Sequence, residues 1–259
     1  MAKKLLAVDL GASGGKCFVG KFSGDGTFNM EEIHRFDHGG VSFYLADRHG
    51  VVTERTYWND TAIYDNIIKG LQAYRRRFGA HLDAIGIDTW GADGAFISAD
   101  GELLGKTHCY RDHRLDTMCD EVKACYDWRR IYELTGIHFQ PFNMSNQLRW
   151  FVTRRPELLK LTTHFLPIPT LFNYYLSGST AVDSSWASVT QLMEAKTRRW
   201  SADLLRALEV PAHIMPEIVA PGTTIGRLRP ELATTLGLNT ANIVAVGSHD
   251  TASAFAAAP

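Results

Sequence analysis

Three short segments at the start of the chain have the apolar and polar pattern of β-strands. They are KLLAV (residues 4–8), KCFVGKF (16–22) and TFNMEEIHRF (27–36), and glycine-rich stretches separate them. Gly-Asp-Gly at 24–26, between two alternating segments, is typical of a hairpin turn. The chain is therefore predicted to begin with a meander of three strands.

The hydrophobic period changes from that of a strand to that of a helix near Asp60. One helical face collects five apolar or aromatic side chains, Ile63, Ile67, Leu71, Tyr74 and Phe78. Asn59 or Asp60 can cap the start of this helix, and Gly79 can end it. A long helix is therefore predicted directly after the meander.

The remaining pattern divides into three parts. Residues 82–106 return to strand patterning, with a second hairpin turn at Asp100-Gly101. Helical patterning dominates residues 113–220, and its breaks fall at Pro156, Pro167 and Pro169. Residues 221–259 alternate again, as the strand TIGRL, a helix over 230–236, the strand NIVAVGSHD and the start of a helix. The pattern predicts a mixed α/β domain with a mainly helical middle section.

Composition and charge narrow the possible function classes. The chain has 259 residues, 45% of them hydrophobic and 21% charged, which is the balance of a soluble globular protein. The net charge is −1 and no long basic tract is present, so neither a nucleic acid nor a membrane surface is an expected partner. No apolar stretch is long enough to span a bilayer, and the N-terminus lacks the pattern of a secretion signal. Four cysteines without metal-type spacing predict free thiols and a cytoplasmic location; they are Cys17, Cys109, Cys119 and Cys125.

Three predicted strands end in an aspartate. The residues are Asp9 after LLAV, Asp88 after AIGI and Asp250 after IVAVGSH. Ligands of open α/β sheets bind beyond the carboxyl ends of the strands, where these three acids would meet. Each aspartate alone could be a helix cap or a turn residue. Three of them at one edge, flanked by Gly, Ser or Thr, favour a ligand site.

The glycine-rich turn after Asp9, GASGGK (11–16), could approach a phosphate group through its backbone N–H groups. It lacks the Walker A pattern, because Leu10 and Cys17 stand where that motif needs Gly and Ser or Thr. Ser13 excludes the dinucleotide fingerprint, and a strand rather than a helix follows. The turn is therefore predicted to be a phosphate-binding β-hairpin, although a tight turn by itself also requires glycine.

Five segments resemble, in order and spacing, those of the FGGY carbohydrate kinases. They are AVDLGASGGK, IGIDTWGAD, YRDHR, QPFN and GSHDTASA. The resemblance covers the whole chain, corresponds to the N-terminal domain of that family, and is greatest to the branch that acts on L-rhamnulose. It implies an actin/hexokinase-like (ribonuclease H-like) α/β fold, a mixed sheet with flanking helices and a helical middle section. It also implies that residues 1–259 form the sugar-binding domain and that a C-terminal nucleotide domain is absent from this chain.

The same resemblance implies phosphorylation of the C1 hydroxyl of a ketose, with ATP and Mg²⁺. Asp250 matches the catalytic base, and His249 and Thr251 flank it in the sugar site. Gly91 matches a position that contacts substrate. Asp9 matches the acid that helps to organise Mg²⁺ and phosphate. The residues that match the ATP-phosphate loop are Ala12, Ser13, Gly14, Gly15 and Lys16.

Three side chains near these motifs have two interpretations each. Trp90 either walls the sugar pocket or packs in the core. Asp93 either hydrogen-bonds sugar hydroxyls or caps the start of the next strand. Lys16 either contacts phosphate or begins the second strand with its side chain pointing outward.

Two other motifs could complete the sugar site. Arg111, Asp112 and Arg114 in YRDHR would form an ion-pair frame beside the pocket, with Arg111 near the substrate, or else a surface salt bridge. Phe142 and Asn143 in QPFN would supply an apolar wall and an amide for a deoxysugar.

The sequence also departs from the family pattern near the place where the sugar would be selected. Gly94 stands where a large apolar residue is usual, and the middle of SGSTAVDSSWASVTQL (177–192) differs. The specific ketose is therefore an open choice among L-rhamnulose, fuculose, xylulose and related polyols. A non-catalytic actin-like module that binds a nucleotide or a protein remains a second class. In a third, purely structural interpretation, the acids are caps and the glycines are turns.

Overall fold

The computed structural model describes residues 3–258, which contain twelve strands. In chain order the strands are β1 (Lys3–Leu10), β2 (Gly14–Phe22), β3 (Phe28–Asp37), β4 (Gly40–Ala46), β5 (Val52–Trp58), β6 (Ala84–Thr89), β7 (Gly94–Ile97), β8 (His164–Pro167), β9 (Val182–Asp183), β10 (Ile218–Val219), β11 (Thr223–Arg227) and β12 (Asn242–Ala245). The helices are α1 (Asp60–Phe78), α2 (Met118–Cys125), α3 (Trp128–Thr135), α4 (Met144–Arg154), α5 (Pro156–Leu161), α6 (Ile168–Ser177), α7 (Ser184–Ser188), α8 (Ala202–Ala207), α9 (Pro230–Leu236) and α10 (Asp250–Ala256).

A six-stranded mixed sheet forms the centre of the fold, in the order β11-β12-β6-β1-β2-β3. Strands β1, β2 and β3 pair antiparallel, which confirms the predicted meander. Strand β6 pairs parallel with β1 and with β12, and β11 pairs antiparallel with β12 at the edge. The carboxyl ends of β1, β6 and β12 therefore point the same way.

The long helix α1 forms where the apolar period predicted it. The side chain of Asn59 accepts a hydrogen bond from the Ala62 N–H at 3.2 Å, and Gly79 ends the helix with φ 86°. Ile63 and Ile67 on its inner face are fully buried in the same apolar cluster as Leu6 of β1. Burying one such side chain contributes about 1.5–3 kcal/mol, so this stripe fixes the helix against the sheet.

The middle section is mainly helical, as predicted, and its helix ends follow the glycines. Gly136 ends α3 and Gly178 ends α6, both in the left-handed conformation that favours glycine. The section also contains the short strands β8, β9 and β10, which the sequence pattern did not predict. The hairpin β4–β5 was also missed; β4 is exposed along its whole length.

The strand before Asp250 is shorter than predicted. β12 ends at Ala245, and residues 246–249 form an extended turn before α10. The turn keeps one backbone hydrogen bond to β6, from the Thr89 N–H to the Ser248 carbonyl at 2.9 Å. It is otherwise held by bonds outside the sheet, since Ser248 bonds to Asp183 and the Ser253 hydroxyl bonds to the Gly247 carbonyl at 2.5 Å. Asp250 is therefore the first residue of a helix rather than the last residue of a strand. No helix within residues 3–258 has the length and apolar character needed to cross a membrane.

Candidate active site

The carboxyl ends of β1 and β6 place two of the predicted acids side by side. Asp9 and Asp88 are register partners in this parallel pair. Burial, with the charges of Asp9 and Asp250 as further causes, raises the pKa of Asp88 to about 7. Thr89 at the end of β6 also forms a parallel bridge with His249. All three acids thus lie at one edge of the sheet, although Asp250 reaches it from a turn.

The glycine-rich turn joins β1 to β2 next to Asp9. A Cβ atom on Gly14 would lie 2.9 Å from the Phe36 carbonyl oxygen, and one on Gly15 would lie 2.3 Å from the Phe36 ring. Both contacts are too short for any larger residue, so glycine lets β2 lie close to β3. Asp9 lines the space above the turn, and this cavity has a volume of about 330 Å³.

Two cations border this loop cavity. Lys16 lines it, and its Nζ is 3.8 Å from Asp9 Oδ2, so the side chain points towards the loop rather than away from the site. Arg35 on β3 lines it as well and donates to Glu32 at 2.8 and 2.6 Å. No local sequence pattern marks Arg35, because only strand pairing brings it to the loop.

Asp250 begins α10 at the other side of this edge. Its Oδ1 accepts hydrogen bonds from the Thr251 backbone N–H at 2.5 Å and from the Thr251 hydroxyl at 3.1 Å. His249 Nε2 lies 3.5 Å from the same oxygen. Burial lowers the pKa of His249, although Asp250 and Asp183 partly oppose this effect, so the imidazole is neutral at pH 7.

Asp183 holds the turn that presents His249 and Asp250. One carboxylate oxygen accepts the Ser248 N–H at 3.2 Å and the Ser248 hydroxyl. The other accepts the Ser185 N–H at 2.8 Å and thereby caps α7. Asp183 is buried, and it belongs to the segment that departs from the family pattern. No local sequence pattern marks this positioning residue, since its partner Ser248 is 65 residues away.

A pocket of about 480 Å³ opens in front of His249. Its lining consists of Trp90, Gly91, Ala92, Tyr110, Ile137, His138, Gln140, Phe142, Asn143, Val189 and His249. A Cβ atom on Gly91 would lie 2.5 Å from His249 Nε2, so only glycine allows this approach. The two interpretations of Trp90 prove compatible, since its ring is 4% exposed and also forms part of the wall.

Asp93 lies beneath the pocket wall and does not line the pocket. One carboxylate oxygen accepts the indole N–H groups of Trp58 at 2.6 Å and Trp90 at 3.2 Å, and the Tyr110 backbone N–H at 3.1 Å. The other accepts Gln147 Nε2 at 3.0 Å. Asp93 has φ 76° and is fully buried, and burial raises its pKa while the Trp58 bond and the Arg114 charge oppose the rise. Its carboxylate therefore orients Trp90 and Tyr110, which do line the pocket.

The YRDHR motif divides between two places. Arg114 is buried, lies 3.7 Å from Asp112 and donates to Gln147 at 2.8 Å, which connects it to the Asp93 network. Arg111 is exposed, and its guanidinium donates to the Ala12 carbonyl at 3.4 Å. Arg111 thus ties this segment to the glycine-rich loop and does not line the pocket.

The predicted site residues therefore gather in two neighbouring groups. Trp90, Gly91 and His249 lie in the pocket, whereas Asp9 and Ser13 through Lys16 lie in the loop cavity. Thr251 is exposed and bonds to Asp250. No cluster of three or more metal-ligating groups occurs within residues 3–258, so a metal here would be held by one or two carboxylates with other ligands.

Solved sugar kinases have the same fold. The ligand-bound xylulose kinase from Lactobacillus acidophilus matches with a TM-score of 0.79 and 18% identity, over 96% of this chain and 48% of its own. Gluconate kinase from the same organism matches with a TM-score of 0.80 and 18% identity, over 96% of this chain and 48% of its own. Plasmodium falciparum glycerol kinase with ADP matches with a TM-score of 0.73 and 16% identity, over 93% of this chain and 47% of its own. The expected actin/hexokinase-like fold with its mixed sheet is therefore confirmed.

Sequence comparison with curated proteins leads to the same family of sugar kinases as the fold. The chain is 35% identical over 254 residues to a rhamnulokinase from Oceanobacillus iheyensis, covering 98% of this chain and 52% of that protein. It is 35% identical over 253 residues to a rhamnulokinase from Bacillus subtilis, covering 98% and 49%. The chain thus spans about half the length of the curated relatives it matches. Residues 50–256 match the N-terminal domain of the FGGY family of carbohydrate kinases, and the chain therefore belongs to that family.

Proposed function

We propose that this chain is the sugar-binding and phosphate-loop half of an ATP-dependent ketose kinase whose preferred substrate is L-rhamnulose. Residues 1–259 correspond in this proposal to the N-terminal sugar domain, and the nucleotide domain corresponds to the other half of the relatives. The main supporting observation is geometric. Asp88 is the register partner of Asp9, beside the glycine-rich loop, and the next residue, Thr89, forms a bridge with His249, which lines the pocket. A ketose in the pocket and a phosphate at the loop would therefore meet at this edge.

Asp250 is the proposed general base. The C1 hydroxyl of the ketose loses its proton to the Asp250 carboxylate as its oxygen bonds to the γ-phosphorus of ATP. The bond between that phosphorus and the bridging β-γ oxygen breaks, and ADP leaves. A positioned base contributes about 10²–10⁴-fold to such a step. Neutral His249, 3.5 Å from Asp250, would orient the hydroxyl by a hydrogen bond.

The residues of the loop fit a phosphate and a divalent cation. Gly14 and Gly15 lie so close to β3 that the turn offers backbone rather than side chains. Lys16 lines the same cavity and would hold a phosphate oxygen. Asp88 Oδ1 is buried without a hydrogen-bond partner in the described chain, as expected for an oxygen that awaits a cation or its water. Mg²⁺, when bound beside Asp9 and Asp88, would neutralise charge on the transferring phosphoryl group.

The pocket lining favours a 6-deoxyketose. Ile137, Phe142 and Val189 are apolar and could contact the C6 methyl group, whereas His138 and Gln140 could bind hydroxyls. L-Rhamnulose and L-fuculose both have that methyl group, and xylulose lacks it. The rhamnulokinase relatives support L-rhamnulose among the two deoxysugars.

The proposal is tested by ADP release from the full-length gene product with ATP, Mg²⁺ and L-rhamnulose, L-fuculose or D-xylulose. Asp250→Asn should lower kcat by about 10²-fold or more. Asp203→Asn, at an exposed ion pair, is the control and should retain activity. Equal turnover of L-rhamnulose and D-xylulose would contradict the substrate, and an active Asp250→Asn variant would contradict the base. Ligand binding without any ADP release would identify a non-catalytic module.

Two further expectations follow from this proposal. The 259-residue chain alone should bind ketose weakly and phosphorylate it poorly, because half of the relatives' length is needed for the nucleotide. Robust turnover by the chain alone would contradict this division of roles.

A cytoplasmic location would suit the four thiols, which form no disulfide within residues 3–258.

A further inference from the structure

A third cavity shares no lining residue with the pocket in front of His249. It has a volume of about 130 Å³ and lies among β7, the segment 103–108 and the junction of α4 with α5. One water molecule needs only ~10–15 Å³ of such volume, so the cavity has room for a small polyatomic ligand. Its lining combines cationic and polar residues with Phe96, Phe151 and other apolar side chains.

His108 is a buried polar residue of this lining. It is 8% exposed, and its Nδ1 is buried with no hydrogen-bond partner in the described chain. A buried polar atom without a partner is unfavourable unless a ligand or water completes its hydrogen bonding. Burial first, and then the charges of Arg114, Arg155 and Arg55, lower the pKa of His108 to about 2. The imidazole is therefore neutral and offers one N–H donor.

Positive charge at this cavity has no acidic counterpart. Lys106 and Arg155 line it, and within residues 3–258 neither forms an ion pair. The lining contains no Asp or Glu among the described residues, although the Tyr57 hydroxyl adds a possible donor. Two exposed cations with neutral donors around a partly open cavity make a site for a negatively charged group.

We propose that this cavity binds a small oxyanion, a phosphate or a carboxylate, through Lys106, Arg155 and His108. Arg155 offers a planar pair of N–H donors, and Lys106 offers a point charge. The apolar part of the lining would contact a short hydrocarbon portion of the same ligand. This site is separate from the glycine-rich loop and does not depend on the sugar chemistry.

The test is a titration of the ¹⁵N-labelled chain with sodium phosphate, sodium acetate or sodium chloride at equal ionic strength, followed by NMR. Amide shifts at residues 94–96 and 103–108 report this cavity, and shifts at 11–16 report the loop. Arg155→Gln should weaken phosphate binding at the cavity about tenfold or more, since a charge-assisted bond is lost. Arg154→Gln is the matched control, because its neighbouring guanidinium pairs with Glu121 and does not line the cavity.

The outcomes separate the possibilities. Shifts at the cavity with phosphate alone support a phosphate ligand, and shifts with both phosphate and acetate support any small oxyanion. Sodium chloride at the same ionic strength should cause no amide shifts at the cavity residues. If the cavity residues do not shift, or if Arg155→Gln binds as tightly as Arg154→Gln, the proposal is overturned. A Lys106→Gln variant gives an independent second measurement of the same loss.

Discussion

Asp9 and Asp88 lie side by side at the ends of two parallel strands, and they differ in their access to solvent. The side chain of Asp9 is 39% exposed and pairs with Lys16, whereas Asp88 is largely buried with one oxygen unpartnered in the described chain. Burial and the nearby Asp9 charge raise the pKa of Asp88 to about 7. A second negative charge at this edge is therefore unfavourable until a cation or a proton arrives.

Replacing Asp88 with Asn should stabilise the protein in a pH-dependent way. Well below the ordinary pKa of 3.8 the carboxyl group is protonated in the folded and unfolded states, so wild type and variant differ little. As the pH rises towards 7, the unfolded carboxyl ionises more readily than the folded one, so the wild type loses stability. A shift of this size corresponds to on the order of 3–4 kcal/mol at pH 8. Urea denaturation at pH 4, 6 and 8 measures the difference.

The control for this pH dependence is Asp203→Asn, which alters an exposed ion pair and should change stability only slightly. A difference between wild type and Asp88→Asn that stays constant from pH 4 to pH 8 would contradict the raised pKa of Asp88.

Gly91→Ala should weaken ketose binding with little loss of stability. The new methyl group would lie 2.5 Å from His249 Nε2 and would push the imidazole out of the pocket wall. The dissociation constant for L-rhamnulose, measured by calorimetry, should rise on the order of tenfold, or ~1.4 kcal/mol. Gly24→Ala is the matched control, because a Cβ atom there meets nothing within 4 Å. Equal affinities of the two variants would be inconsistent with His249 in the sugar site.

Asp93→Ala should destabilise the fold strongly, and Asp93→Asn should be milder. Alanine leaves the indole N–H groups of Trp58 and Trp90 without an acceptor and removes one of the two acidic neighbours of buried Arg114, at a cost of about 3–5 kcal/mol. Asparagine keeps one carbonyl oxygen and tolerates the positive φ. Urea denaturation and tryptophan fluorescence measure both effects. Asp25→Asn, in an exposed turn, is the control, and equal stability of all three variants would disprove the role of Asp93.

Local sequence patterns predicted much of the fold. The apolar stripe and the caps of α1 are encoded within about twenty residues, and α9 has the predicted bounds Pro230–Leu236. The meander followed from alternation and from glycine turns. The hairpin β4–β5 was missed because β4 is exposed throughout and has no buried face to mark it.

The candidate site was predictable where residues adjacent in the sequence also lie together in the site, as Trp90-Gly91 and His249-Asp250 do. The roles of Asp93 and Asp183 were not predictable, because their partners lie far away in sequence. Asp93 binds Gln147, which is 54 residues away, and Asp183 binds Ser248, which is 65 residues away. Such contacts depend on the packing of separate elements rather than on any local pattern. The third cavity, beside His108, was not predicted for the same reason, since it combines residues from four segments.

Asp183→Asn should lower kcat more than it changes ketose affinity, with a measurable loss of stability. The amide oxygen can still cap α7, but the amide nitrogen cannot accept the Ser248 N–H and hydroxyl, so the turn before Asp250 loosens. Losing one such acceptor costs about 1–3 kcal/mol of stability. A displacement of the base by about 1 Å can lower the rate up to ~10²-fold, so we expect kcat of the full-length gene product to fall at least tenfold.

The matched control is Asp127→Asn, which also replaces a helix-capping aspartate but caps α3, away from the turn. Steady-state ADP release gives kcat and KM for both variants. If Asp183→Asn and Asp127→Asn keep the same kcat, Asp183 is only a structural cap. If kcat falls only in Asp183→Asn and KM stays within about twofold, binding of the sugar in the ground state is unchanged. The contact from Asp183 to Ser248 then positions the catalytic turn.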